Sequence, residues 1–165
     1  MKSLFITVIS LCCFLLGCAS VALEPQAISN ASKEFKQPNP NTAGIYVYRP
    51  STIAGDGLML AAYIDGECLG TTAPNTFLYK EVPGNRNYSI ASESVVSPNE
   101  LKIYISGGKN YFFRQTLTIE GLIAGIYTAK LTEVSENTGK EAIKDMKQSK
   151  TGKCEYDYHL NSLFD

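Results

Sequence analysis

From Gly44 onward, apolar residues recur in short runs broken by turn-forming residues at intervals of roughly ten, the rhythm of strands rather than helices. Ile45-Tyr46-Val47-Tyr48 alternates two aliphatic residues with two tyrosines and is closed by Pro50. Leu58 to Ile64 is apolar on both faces, as in a strand buried on both sides. Asp65-Gly66 predicts a two-residue hairpin turn into Glu67 to Thr72, because glycine tolerates the positive φ such turns need. Phe77 to Val82 is the next strand, and Pro83-Gly84 predicts a type II turn, proline presetting φ and glycine supplying the positive value. Tyr88 to Glu93 follows. Leu101, Ile103 and Ile105 alternate with Lys102 and Tyr104, the pattern of a strand with one face buried. Gly107-Gly108 turns the chain into Asn110 to Thr118, and Gly125 to Val134 is the last long strand. The period changes only near the end, where Asn137 or Thr138 is expected to cap a helix over Gly139 to Gln148, lying solvated across a sheet edge. The expectation is an all-β domain, an antiparallel β-sandwich of about 7–8 strands with one short C-terminal helix.

The first residues obey different rules. Met1-Lys2-Ser3 precedes an apolar run from Leu4 to Leu16, too short to span a bilayer and ending in small residues. Residues 1–17 therefore read as a secretory signal. Leu15-Leu16-Gly17-Cys18 resembles the lipobox of bacterial lipoproteins. In that family the cysteine thiol is acylated, the chain is cut before it, and the new amino group is acylated in turn. The resemblance implies lipidation of Cys18, and Ala19, in place of aspartate, implies the outer membrane rather than retention at the inner one. One acyl chain binds a membrane marginally, whereas several hold it durably. Residues 18–43, rich in Ser, Asn, Gln and Pro, read as the lipidated cysteine and a flexible tether spanning roughly 25–30 Å. Ile28 to Phe35 has the makings of a short helix within it. The folded domain is expected over 44–165.

Composition narrows the partners. The chain of 165 residues has a formal net charge of −1, without a basic stripe or a long like-charge block, which speaks against nucleic-acid binding. Of its five cysteines, Cys12 and Cys13 leave with the signal and Cys18 carries lipid. That leaves Cys68 and Cys154. Two thiols in an oxidising envelope tend to join, and a bridge across so long a loop constrains the unfolded chain by on the order of 4 kcal/mol. Two separate free cysteines are the alternative.

No catalytic constellation stands out. His159 is the only histidine, close in sequence to Cys154 and Asp157 but in the terminal tail. Glu67, Glu81, Glu93 and Glu100 are scattered over strands, so an envelope hydrolase using two sheet carboxylates is the alternative function, though no spacing favours a pair. Gly55-Asp56-Gly57 and Gly107-Gly108-Lys109 are turns, not phosphate cradles, since neither opens a helix. Neither Asp56 nor Asp65 has the neighbouring oxygen ligands that calcium needs. The patterns call for no cofactor and no metal. Tyrosines offer the better lead in a chain without tryptophan. Tyr46, Tyr48 and Tyr104, with Arg49 beside the first two, form a candidate binding surface for an envelope protein or a cell-wall glycan. Ordinary cross-strand packing is the competing explanation.

Four strings occur in order: Ile45-Tyr46-Val47-Tyr48-Arg49-Pro50, then Ala62-Tyr63-Ile64-Asp65-Gly66 with Gly70, Val82-Pro83-Gly84, and Gly108-Lys109-Asn110-Tyr111-Phe112. Together, over residues 43–134, they resemble a bacterial lipoprotein domain of uncharacterised role, domain-of-unknown-function family 2846. The strand–Asp-Gly–strand piece also looks architecturally like the small β-sandwich repeats named for a Pro-Glu-Gly-Ala motif, whose letters are absent here. These resemblances imply fold and location and transfer no active site. The expectation for the whole chain is a lipid-anchored, non-enzymatic envelope protein that binds or builds, anchored in the outer membrane and facing the periplasm.

Overall fold

A computed structural model describes residues 20–52, 57–94, 99–119 and 127–154. The signal segment, Cys18, Asp56 and His159 lie outside the described residues. Among the described residues two helices, α1 (Gln26–Ser32) and α2 (Glu136–Ile143), accompany nine strands. The strands are β1 (Thr42–Arg49), β2 (Leu60–Ile64), β3 (Glu67–Thr72), β4 (Thr76–Pro83), β5 (Arg86–Ser92), β6 (Glu100–Ile105), β7 (Lys109–Ile119), β8 (Tyr127–Val134) and β9 (Lys147–Gln148). They form a five-stranded sheet ordered β8-β7-β1-β4-β9 and a four-stranded sheet ordered β3-β2-β5-β6. The β-sandwich expected from the sequence is the fold. It is not wholly antiparallel, because β1 pairs in parallel with β7, and β4 with β9.

Between the sheets lies one apolar core. Ala43, Ile45 and Val47 of β1 meet Leu78 and Val82 of β4, Phe113 of β7, and Ala62, Ile64, Leu69, Ile90 and Ile105 from the opposite sheet. Alternation places the other residues of β1 on the outer face of the five-stranded sheet, and there a second core has formed. Tyr46, Tyr48, Phe77 and Phe112 are buried there with Ile143 and Met146, and Phe35 packs against them. Fully burying a side chain of this kind is worth roughly 1.5–3 kcal/mol. That gain draws helices over a face that would otherwise be wet.

The cover comes from both ends of the chain. Phe35, just past α1, sits 5.5 Å from the Tyr46 ring and 5.8 Å from that of Phe112. Asn110 of β7 donates to the carbonyls of Phe35 and Lys36, both at 3.2 Å, and Lys33 donates to those of Lys144 and Met146. The expected tether is therefore corrected: from Ala22 onward the segment is packed and hydrogen-bonded. Its polar composition concealed the few residues, Phe35 above all, that reach the sheet. Helix α2 begins earlier than expected, with Ser135 as cap accepting the Thr138 amide at 3.3 Å, and ends at Ile143. It lies on the sheet face rather than a free edge. A β-carbon at Gly139 would fall 2.3 Å from Phe112 Cγ, so glycine sets how closely helix and ring approach.

Beyond α2 the chain becomes a strap. β9 runs beside β4, the Ser149 amide donates to Phe77 O at 2.8 Å, and the Gly152 amide to Leu69 O of the other sheet at 2.9 Å. The Glu24 amide donates to Gln148 O, and the Lys150 amide to Ala22 O, joining the N-terminal segment to the same strap. A β-carbon at Gly70 would come within 2.9 Å of Lys150 O, so the crossing requires the bare backbone there. Cys154 then closes a disulfide with Cys68, their Cα atoms 5.9 Å apart. The turns divide. Asp65 and Gly66 both have positive φ, as the hairpin requires, whereas after β4 the positive φ falls on Asn85, not Gly84. Gly84 is needed for space instead, because a β-carbon would lie 2.5 Å from Gly107 Cα.

The bridge ties the strap to the sandwich across 86 residues, so Cys154→Ala or reduction is expected to lower the unfolding free energy by about 3–5 kcal/mol. Denaturant midpoints with and without reductant read this directly. An unchanged midpoint would mean that the backbone bonds alone hold the strap.

Candidate functional site

The four residues proposed as one binding surface are split by the fold. Tyr46 and Tyr48 are 1% exposed and Arg49 2%, while Tyr104 is 54% exposed on the other sheet. The first three are corrected to interior residues: Tyr46 and Tyr48 lie on the outer face of β1, covered by α1, Phe35 and α2, whereas Arg49 alternates with Ile45 and Val47 toward the space between the sheets. Tyr46 is the hub of that interior. Its ring stacks on Phe112 at 4.7 Å and meets Tyr79 at 4.6 Å, and its hydroxyl donates to Ser32 O at 2.9 Å. Burial pushes its ionisation well above the usual tyrosine range, and the adjoining Tyr79 adds to the effect. Burial also raises Tyr79, helped by Glu81, and raises Tyr48 against an opposing pull from Arg114.

Tyr104 marks the surface that remains. Along β6, Leu101, Ile103 and Ile105 turn inward as expected, leaving Glu100, Lys102 and Tyr104 outward. Asn87 and Ser89 of β5 stand directly across from Tyr104 and Lys102. Ser89 hydrogen-bonds Glu100, fixing that carboxylate against the strand pair. A shallow concavity of about 360 Å³ is lined by Asn87, Tyr88, Ser89, Lys102, Ile103 and Tyr104. Such a face offers an aromatic ring for stacking beside an amide, a hydroxyl and an ammonium, suited to hydrogen-bonding a glycan or a polypeptide. Among the described strands, β6 also ends its sheet, so its outer edge has no strand partner.

A buried polar cluster at the far end of β1 escaped the sequence reading. Thr72 hydrogen-bonds both Leu60 O at 3.1 Å and the Gln115 side-chain oxygen at 2.5 Å, and Gln115 Nε2 donates to Ser92 Oγ at 2.6 Å. Glu93, also buried, accepts the Ala61 amide at 3.0 Å, and Arg49 donates to Leu58 O at 2.6 Å. The cluster crosses from one sheet to the other. Its signal was available: Phe113, Gln115 and Leu117 share one face of β7, so an amide falls at a core position. The remaining carboxylates are dispersed. Asp65 pairs with Arg86 at 2.6 Å and accepts the Ser89 amide, pinning the hairpin. Glu67 begins β3 and Glu81 lies on β4 in the other sheet. Among the described residues no group of three His, Cys, Asp or Glu side chains is placed to hold a metal.

The tyrosine core makes the fold sensitive to alkali. Unfolded tyrosine ionises near pH 10, whereas the folded side chains hold their protons to higher pH. Above about pH 10 the unfolded chain therefore binds fewer protons, and stability falls as pH rises. Tyr46→Phe is expected to cost about 1 kcal/mol at neutral pH, through loss of the Ser32 hydrogen bond. It should also flatten the alkaline decline. Urea unfolding at neutral pH and above pH 10 checks both effects, and an unaltered slope would remove Tyr46 as its source.

Comparison with known proteins gives the chain relatives of equally open function. A family model described as "Protein of unknown function (DUF2846)" matches residues 39–125. An "Uncharacterized protein" of Haemophilus influenzae is 36% identical over 140 residues, covering 85% of this chain and 80% of that one. No solved structure matches. The matched stretch runs from the turn before β1 through β7, taking in both sheets of the sandwich. The chain belongs to the DUF2846 family of proteins of unknown function.

Proposed function

We propose that this protein is a non-enzymatic module of the bacterial envelope, held in the outer membrane by lipid on Cys18, facing the periplasm, and binding an envelope protein or cell-wall glycan. Leu15-Leu16-Gly17-Cys18 supplies the anchor, and the likeness to Pro-Glu-Gly-Ala repeats agrees with an envelope setting. One observation carries the binding role. The two sheets are treated differently: the five-stranded sheet is roofed by α1, Phe35 and α2, whereas Tyr104 stands 54% exposed on the outer face of the other. That face lies at the β6 edge, opposite β3, to which the strap attaches, and the strap in turn holds the N-terminal segment. An anchor at Cys18 thus leaves the Tyr104 face free. The dispersed carboxylates, with Glu93 buried on a backbone amide and Glu100 held by Ser89, favour binding over hydrolysis.

A photo-crosslinking residue in place of Tyr104 tests this in living cells, with one in place of the exposed Lys80 on the other sheet as control. The expected outcome is a discrete envelope adduct from position 104, weakened by Lys102→Glu and absent from position 80. Sedimentation with isolated peptidoglycan, lost on Tyr104→Ala, would assign the partner as glycan. Identical crosslinking from both positions would remove the Tyr104 face as a binding surface.

A further inference from the structure

The packed N-terminal segment holds Cys18 close to the domain. Ala22 is already fixed by its bond from Lys150, and it lies only four positions beyond Cys18. Even fully extended, that link reaches at most about 14 Å. A lipid on Cys18 would therefore hold the strap edge of the domain against the bilayer.

We propose that this edge is a docking surface for anionic phospholipid headgroups, seated beside the anchor, and this rests on the lipidation of Cys18. A concavity of about 330 Å³ there is lined by Val21, Ala22, Thr71, Lys150, Thr151 and Lys153. Its chemistry complements a headgroup: two ammonium groups and the Thr151 hydroxyl for a phosphate, the Thr71 hydroxyl being turned to Lys153 O, with small apolar side chains on the anchor side. Among the described residues neither lysine has a carboxylate within ion-pair distance. The charge is local, since the sequence continues into Glu155 and Asp157, outside the described residues. Apolar groups support the same orientation. Of the three large hydrophobic residues exposed among the described residues, two, Leu23 and Ile28, belong to this N-terminal segment, and Leu23 bridges Ser149 next to Lys150. The third is Tyr104, at the opposite edge.

The test reads lysine accessibility by mass spectrometry on the membrane-purified protein, reconstituted in phosphatidylcholine vesicles with or without phosphatidylglycerol. An amine-modifying reagent is applied briefly and the labelling rate is compared site by site. Near an anionic surface each lysine is attracted by about 1 kcal/mol, roughly a fivefold bias toward the docked state. Lys150 and Lys153 should thus be labelled about fivefold more slowly in the anionic vesicles, with Lys102 unchanged and the protection lost in high salt. Equal protection in pure phosphatidylcholine would overturn the proposal, because the anchor alone would then account for it. Uniform labelling of all lysines would overturn it too, as the domain would be swinging free. The spectrum also reports the mass of the Cys18 peptide: acyl chains without protection sink the docking surface alone, and absent acyl chains sink the anchor reading itself.

Discussion

The stacking of Tyr46 on Phe112, with its hydroxyl closed on Ser32 O, is the interaction on which the arrangement of this protein turns. β1 sits at the centre of the five-stranded sheet and carries aliphatic side chains toward one core and tyrosines toward another. A sheet apolar on both faces must be covered on both. The four-stranded sheet covers one face. The other is covered by a segment from before β1 and a helix from after β8, which the aromatic cluster holds together. Because the hydroxyl of Tyr46 needs a buried acceptor, the ring specifies where α1 ends as well as the face it protects.

A second constraint follows from how the strap is fixed. It bonds first to β4, then to β3, and is finally closed covalently through Cys68 and Cys154. These are neighbouring edges of the two sheets, so the strap occupies backbone groups that would otherwise invite pairing with another chain. The edge at β6 has no such cover among the described residues. The sandwich is thus polarised by its own stitching, sealed where the termini meet and open where Tyr104 stands.

Much of this was legible in the alternation of residues. Period-two patterning located the strands, Asp65-Gly66 announced its hairpin, and setting aside the three cysteines near the start left Cys68 and Cys154, which are bridged. What alternation cannot reveal is which faces are covered. Tyr46 and Tyr48 fall correctly on the face opposite Ile45 and Val47, but whether that face meets water depends on Phe35 and Ile143, distant in sequence. Similarly, the parallel pairing of β1 with β7 is set by the path between sheets and leaves no trace in either strand. Gly84 was assigned for its backbone freedom, when the demand was for space against Gly107. Gln115 was the neglected clue, an amide in line with Phe113 and Leu117 that announced a polar junction inside the sandwich.

The covered and uncovered faces give a physical reason to place function on the four-stranded sheet. Residues that stabilise this fold have their polar groups spoken for: Tyr46 by Ser32, Tyr88 by Pro83 O, Tyr111 by the Ser106 amide. Their aromatic character is consumed by packing and cannot also serve recognition. Tyr104 belongs to neither core, nor do its cross-strand partner Asn87 and its outward-facing neighbour on the same strand, Lys102. A large aromatic side chain left in water gains nothing for stability, and one placed among exposed hydrogen-bonding groups, at the edge away from the strap, has the composition of a contact site.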